Sequence, residues 1–204
     1  VSSPAPVTDL RRLRLHESVS FDICCNIPAL TNSIVAQLQT QGFHFNCSAL
    51  IKVIIDVPQG YALSVLEEMR SASKDKSALR FIVVTFNSCP EYLEDLWDLQ
   101  PTVLLANPDY EHDLPRAIAA ATRGISHRIT SGQTTPLTST ERQMLRYLAH
   151  GWSNKAIASR LNLQEKTVTN NLTAIYSKLN LKNRADAILY YWGLSSVLET
   201  VSAV

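Results

Sequence analysis

Two kinds of hydrophobic spacing divide this chain. From residue 19 to residue 123, short apolar runs alternate with amphipathic stretches. The runs at 19–25, 52–56, 80–85 and 102–106 are rich in Val, Ile, Leu and Phe and predict strands. The stretches 28–41, 61–72, 91–99 and 114–123 carry helical spacing. Such alternation predicts a doubly wound parallel sheet with helices on both faces. From residue 137 onward only helical spacing remains, so the fold class is α/β followed by all-α. The predicted division is an arm at 1–18, an α/β domain at 19–123, a Ser/Thr/Gly-rich linker at 124–136 and a four-helix domain at 137–204.

The sheet pattern has a gap. Only the twelve residues 44–55 separate Phe43 from Asp56. A parallel crossover needs about a dozen residues besides its strands. The helix between the second and third strands is therefore absent, and the second strand is lost, shortened or paired as an antiparallel hairpin. A sheet face left without its helix could bind a regulatory protein or a second copy of the chain.

The clearest helix is predicted at 164–179. Val168, Leu172, Ile175 and Leu179 form one apolar stripe, and Lys166, Asn170, Thr173 and Ser177 fall on the opposite side. Short hydrogen-bonding side chains and a lysine on that face suit a DNA major groove, although an ordinary solvated face has the same composition. Upstream, Thr138 and Glu141 form a T-x-x-E capping box that starts a helix near Ser139. Met144, Leu145 and Leu148 face its core and Gly151 ends it. Ser153 caps a short helix with Ile157 and Leu161 inward, and a turn at 162–164 follows. Two helices across such a turn make a helix-turn-helix.

With these residues, the segment resembles the LuxR/FixJ/NarL-type DNA-binding domain of bacterial transcription regulators. The likeness rests on Leu137, Thr138, Glu141, Leu145, Leu148, Ala149, Gly151, Ser153, Asn154, Lys155, Ile157, Ala158, Leu161, Thr167, Val168, Ile175, Lys178, Leu179, Arg184 and Ala187. Ala156 stands where that family usually has Glu, Thr169 where it often has Lys, and Asn171 where it usually has His. The resemblance implies base contacts from Thr169, Asn170 and Thr173. It implies phosphate contacts from Lys155, Lys166, Thr167, Tyr176, Lys178, Lys182 and Arg184. Helix-surface or internal ion-pair roles are the plain alternative for Lys178 and Arg184. It also implies a homodimer on an inverted-repeat duplex site, with part of the apolar tail after Arg184 packing on the domain and the rest forming a dimer seam.

The first half resembles a response-regulator receiver. Asp56 ends the run that resembles the family's third strand, where a phospho-accepting aspartate belongs, and Thr85 ends the run that resembles its fourth, where a threonine is expected. The chemistry of that family is incomplete here. Two acidic residues should hold Mg²⁺ during phosphoryl transfer, and their positions match Cys25 and Asn26. A lysine should follow the last strand, and Ala106 stands there. The expectation is a truncated pseudo-receiver acting without phosphorylation. A phosphorylation-controlled regulator using Asp56 and a redox-responsive one using Cys25 are the alternatives.

Charge supports this division. Residues 137–204 carry eight Lys/Arg against four Asp/Glu, while the remainder carries eleven against fourteen, within a net charge of +1. Arg11, Arg12 and Arg14 could touch DNA, but a solvated or strand-edge cluster is the plainer reading. The four cysteines (24, 25, 47, 89) make no C-x-x-C or zinc spacing, so neither metal nor cofactor is expected. The five histidines are scattered, and no nucleophile set or glycine-rich phosphate loop argues for an enzyme. Without an 18-residue apolar run or a signal pattern, a cytoplasmic location away from membranes is expected.

Overall fold

The computed structural model describes residues 19–72, 78–130, 132 and 134–194. The arginines at 11, 12 and 14, and the tail beyond Leu194, lie outside the described residues. The N-terminal half contains strands β1 (Ser20–Cys24), β2 (His44–Phe45), β3 (Ile51–Ile55), β4 (Arg80–Thr85), β5 (Val103–Ala106) and β6 (His127–Ile129). Helices α1 (Pro28–Thr40), α2 (Tyr61–Ala72), α3 (Pro90–Asp98) and α4 (Asp113–Thr122) connect them. The C-terminal half contains α5 (Ser139–Ala149), α6 (Asn154–Leu161), α7 (Glu165–Lys178) and α8 (Arg184–Tyr191).

All strands are parallel, in the order β2-β1-β3-β4-β5-β6. Of the three options for the second strand, the structure shows the shortened one. Strand β2 is parallel to β1, not part of an antiparallel hairpin. The register explains how a parallel strand forms with no crossover helix. Phe45 and Ile51 both pair with Phe21, from opposite sides of β1. Strand β2 therefore ends at the level where β3 begins, and the chain has no strand length to travel back. It only has to pass beneath β1, a span of about 10 Å across two sheet spacings. Residues 46–50 reach up to about 17 Å.

One boundary needs correction. The segment 124–136, read as linker from its composition, contributes β6, which pairs with β5. The sheet thus extends to Ile129, beyond the expected edge at residue 123. Arg128 of this segment lies over the Trp97 ring and pairs with Glu94 at 2.6 Å. The exposed edge of β5 supplies the backbone partners that make this polar segment a strand.

The two faces of the sheet bury different cores. Phe21, Val53, Val84 and Leu105 pack with α1 and α4 residues such as Leu38 and Ile118. On the other face, Ile54, Val83 and Leu104 pack with Leu63, Leu66, Tyr92 and Leu96 of α2 and α3. That second core continues without a break into Leu145, Leu148, Val168, Ile175 and Tyr191 of the helical half. Among the described residues, no helix is long and apolar enough to cross a membrane.

Candidate nucleic-acid interface

Local sequence sets the frame of the helical half. Thr138 Oγ1 accepts from the Glu141 amide at 3.3 Å, and Glu141 accepts from the Thr138 amide at 2.9 Å, completing the expected capping box. Ser153 caps α6 by accepting from the Ala156 amide at 3.2 Å. Asn162 then turns the chain in the left-handed region (φ 55°) toward α7. Val168, Leu172 and Ile175 bury the inner stripe of α7 against α5 and α6. Its outer side is exposed, including Lys166, Thr167, Thr169, Asn170 and Thr173. Lys155 and Lys182 are exposed as well. All seven are polar and three of them are lysines.

Other expected phosphate contacts are engaged within the fold. Lys178 Nζ lies 2.8 Å from both Glu141 carboxylate oxygens and holds that carboxyl below its usual range. Arg184 donates to the Trp152 carbonyl and to Asn154 Oδ1. Tyr176 is half-buried, which pushes its phenol upward. Sequence reasoning missed Asn154 as a site residue. It accepts from Arg184 and donates to Thr169 Oγ1 at 3.2 Å, linking α8 through α6 to the outer side of α7.

Asp56 sits where the strand pattern put it, but in closed surroundings. It is 1% exposed. Its Oδ1 accepts from the Ala62 amide at 2.9 Å; its Oδ2 accepts from Thr85 Oγ1 at 2.8 Å and Tyr92 Oη at 2.6 Å. Burial pushes the carboxyl above its ordinary range, and these donors partly offset the shift. Cys25 is half-buried in the loop between β1 and α1, its sulfur accepting from the Ile27 amide at 3.4 Å. Its neighbour Cys24 has a thiol pushed up to about 11 by burial and by Asp22. No cluster of three metal-binding side chains occurs among the described residues.

The two halves are joined by a buried polar seam that the sequence did not announce. Arg142 of α5 reaches Asp95 at 2.9 Å and Asp98 at 2.8 Å on α3. Tyr191 Oη donates to Asp95 at 2.6 Å, and Tyr190 Oη donates to Glu91 at 2.8 Å. Asn87 donates to the Tyr191 carbonyl at 2.9 Å, while its own amide donates to Thr85 Oγ1 at 3.1 Å. A line of hydrogen bonds therefore connects Asp56 to α8. The Trp192 ring lies 5.9 Å from Tyr92 and 5.1 Å from Tyr191, between centroids. Gly60 (φ +90°) allows that approach, since a Cβ there would lie 2.9 Å from the ring. The tail was expected to leave part of its apolar surface for a dimer seam. The structure turns Tyr190, Tyr191 and Trp192 inward onto the receiver-like half, where Tyr92 and the α3 carboxylates receive them.

Comparison with known proteins bears on residues 135–191, which match the family "Bacterial regulatory proteins, luxR family". SgaR of Hyphomicrobium methylovorum, a probable transcriptional regulatory protein, is 44% identical over 52 residues, 26% of this chain. The chain spans only 25% of SgaR's length. YvfU of Bacillus subtilis, an uncharacterized transcriptional regulatory protein, is 31% identical over 141 residues, covering 65% of this chain and 68% of YvfU. The chain belongs to the LuxR family of bacterial regulatory proteins. Its helical half is the LuxR-type DNA-binding helix-turn-helix, and its first half has the receiver-like fold. That architecture is shared with RcsB from Salmonella enterica serovar Typhimurium, solved bound to the rprA promoter with a phosphomimetic. The TM-score is 0.57 at 19% identity, over 86% of this chain and 98% of RcsB. At that identity the likeness concerns the fold alone.

Proposed function

We propose that this LuxR-family chain is a sequence-specific transcription regulator that binds an inverted-repeat duplex as a homodimer and needs no phosphorylation. The observation that carries the phosphate-independent reading is the closure of Asp56. A phosphoryl acceptor needs an oxygen open to the donor and cations beside it. Both oxygens of Asp56 already accept hydrogen bonds beneath Tyr92. Cys25, Asn26 and Ala106 stand where metal-holding carboxylates and a lysine would be needed.

The outer side of α7 is exposed while the two halves are docked, so DNA can be met without undocking. Thr169, Asn170 and Thr173 are assigned to base edges, and Lys155, Lys166, Thr167 and Lys182 to phosphates. One such helix reads only a few base pairs, and a two-fold pair about one helical turn apart supplies a longer site. The domain division proposed is a receiver-like unit running to Ile129, a short connection and the helix-turn-helix from Leu137.

The test is anisotropy of the unmodified, reduced protein on genomic duplex fragments, across a salt series and with or without a small acyl phosphate. Tight selective binding that ignores the phosphodonor is expected. Asn170→Ala should relax sequence preference, while Lys166→Ala should weaken all sequences alike and flatten the salt slope. Selective binding that appears only after phosphodonor treatment would overturn the phosphate-independent reading.

A further inference from the structure

The two threonines on the outer side of α7 share one arrangement. Thr169 Oγ1 donates to the Glu165 carbonyl at 3.0 Å, and Thr173 Oγ1 donates to the Thr169 carbonyl at 3.0 Å. Each hydroxyl has one hydrogen, and in each case it points back into the preceding helical turn. Neither threonine retains a donor for the N7 or O6 acceptors of a purine. Thr169 is committed further, because its oxygen also accepts from Asn154 Nδ2 at 3.2 Å. Asn154 is itself held by Arg184. With Oγ1 fixed toward the backbone, the methyl is the apolar group each exposed threonine has left to present.

Residues 169 and 173 are one turn apart on the same side of the helix, about 6 Å along its axis. That is close to two base-pair steps of B-form DNA, at about 3.4 Å each. Between them lies Asn170, exposed and with no side-chain hydrogen bond among the described residues. Its amide offers a donor and an acceptor together, the pair that matches adenine N7 and N6 in the major groove. Threonine methyls suit the 5-methyl group of thymine. Guanine is read by arginine or lysine; α7 has no arginine, its Lys178 is held by Glu141, and its Lys166 is assigned above to phosphate.

Resting on the base-reading role proposed for α7, we propose that each half-site is read as an A·T segment. Thr169 and Thr173 pack on thymine methyls, and Asn170 pairs with adenine between them. Asn154 is a positioning residue that holds the Thr169 rotamer.

The experiment starts from a random duplex library selected on the 204-residue chain. Each thymine of the winning duplex is then replaced in turn by deoxyuridine, which lacks only the 5-methyl group. The expected half-site is A·T-rich, and substitution at one or two positions weakens binding about four-fold each, the scale of one buried methyl-sized group. Thr169→Ser, which removes the protein's methyl, should abolish the deoxyuridine effect at one position. Thr169→Val, which keeps a methyl, should retain it. A G·C half-site, or an A·T half-site indifferent to deoxyuridine, would overturn this inference and leave the regulator reading standing. Sequence-blind binding would overturn both.

Discussion

Replacing Arg142 with methionine tests whether the polar seam holds the two halves together. The guanidinium makes two unequal contacts. Asp98 is 59% exposed at its side chain, so that arm contributes on the order of 0.5 kcal/mol. The Asp95 and Arg142 side chains are 7% and 10% exposed, and removing one partner of a buried pair costs about 3–5 kcal/mol. Tyr191 Oη still donates to Asp95 at 2.6 Å, which places the expected loss near the lower bound, about 3 kcal/mol. Methionine retains much of the apolar stem, so the change measures charge more than packing.

The loss must also depend on pH. Burial raises the Asp95 carboxyl from 3.8 to about 6 against the pull of Tyr191 and Arg142. A carboxyl whose folded value is raised binds more protons folded than unfolded across that window. Its contribution to stability is therefore largest at low pH and declines as pH rises through about 6. Below that value Asp95 is neutral, and losing Arg142 no longer strands a charge. Urea unfolding of Arg142→Met and the parent at pH 7.5 and pH 5 reads both effects from the shift in midpoint. A loss of about 3 kcal/mol at the higher pH and about half of that at the lower is expected. A loss under about 1 kcal/mol at pH 7.5, or one of equal size at both, would refute the claim that this pair is buried and coupled.

Three further outcomes are expected. Asp56→Asn turns one acceptor oxygen into a donor facing Tyr92, Thr85 or the Ala62 amide; it should cost about 1–3 kcal/mol in thermal melts and leave DNA binding equally indifferent to a phosphodonor. Asn154→Ala should weaken selected duplex several-fold in anisotropy while changing stability by less than about 1 kcal/mol, and equal loss on random duplex would argue against a positioning role. Thiol labelling at pH 7.5 should modify the exposed Cys47 quickly and leave Cys24 and Cys89 slow until urea is added, since burial pushes both thiols upward.

How much of this was legible in the sequence depended on how local the cause was. The capping box at Thr138 and Glu141, the Ser153 cap and the inner stripe of α7 are short-range patterns, and each forms where the residues place it. The missing helix before β3 was legible as a shortage of residues. Strand β6 was not, because His-Arg-Ile has no alternation of its own and is held by the β5 edge. The inward turn of Tyr191 was hidden for a similar reason. An apolar tail reads the same whether its cover is a second chain or Tyr92 of its own chain. Asp56 could be placed at a strand end, but its burial under Tyr92 depends on a residue 36 positions away.

The core shared by the two halves affects how a pair of chains would measure distance along DNA. A helix-turn-helix on a loose tether can slide to accept spacers of several lengths. Here α5 and α8 are fixed to α3 by Arg142, Tyr190 and Tyr191. In a two-fold pair of such chains, the separation of the reading helices is set by the solid body of the protein. One added base pair moves a half-site by about 3.4 Å along the axis and also rotates it around the duplex. A docked pair can follow that movement only by breaking the seam or bending the DNA. For the two-fold pair proposed above, spacer length would therefore become part of what the pair recognises.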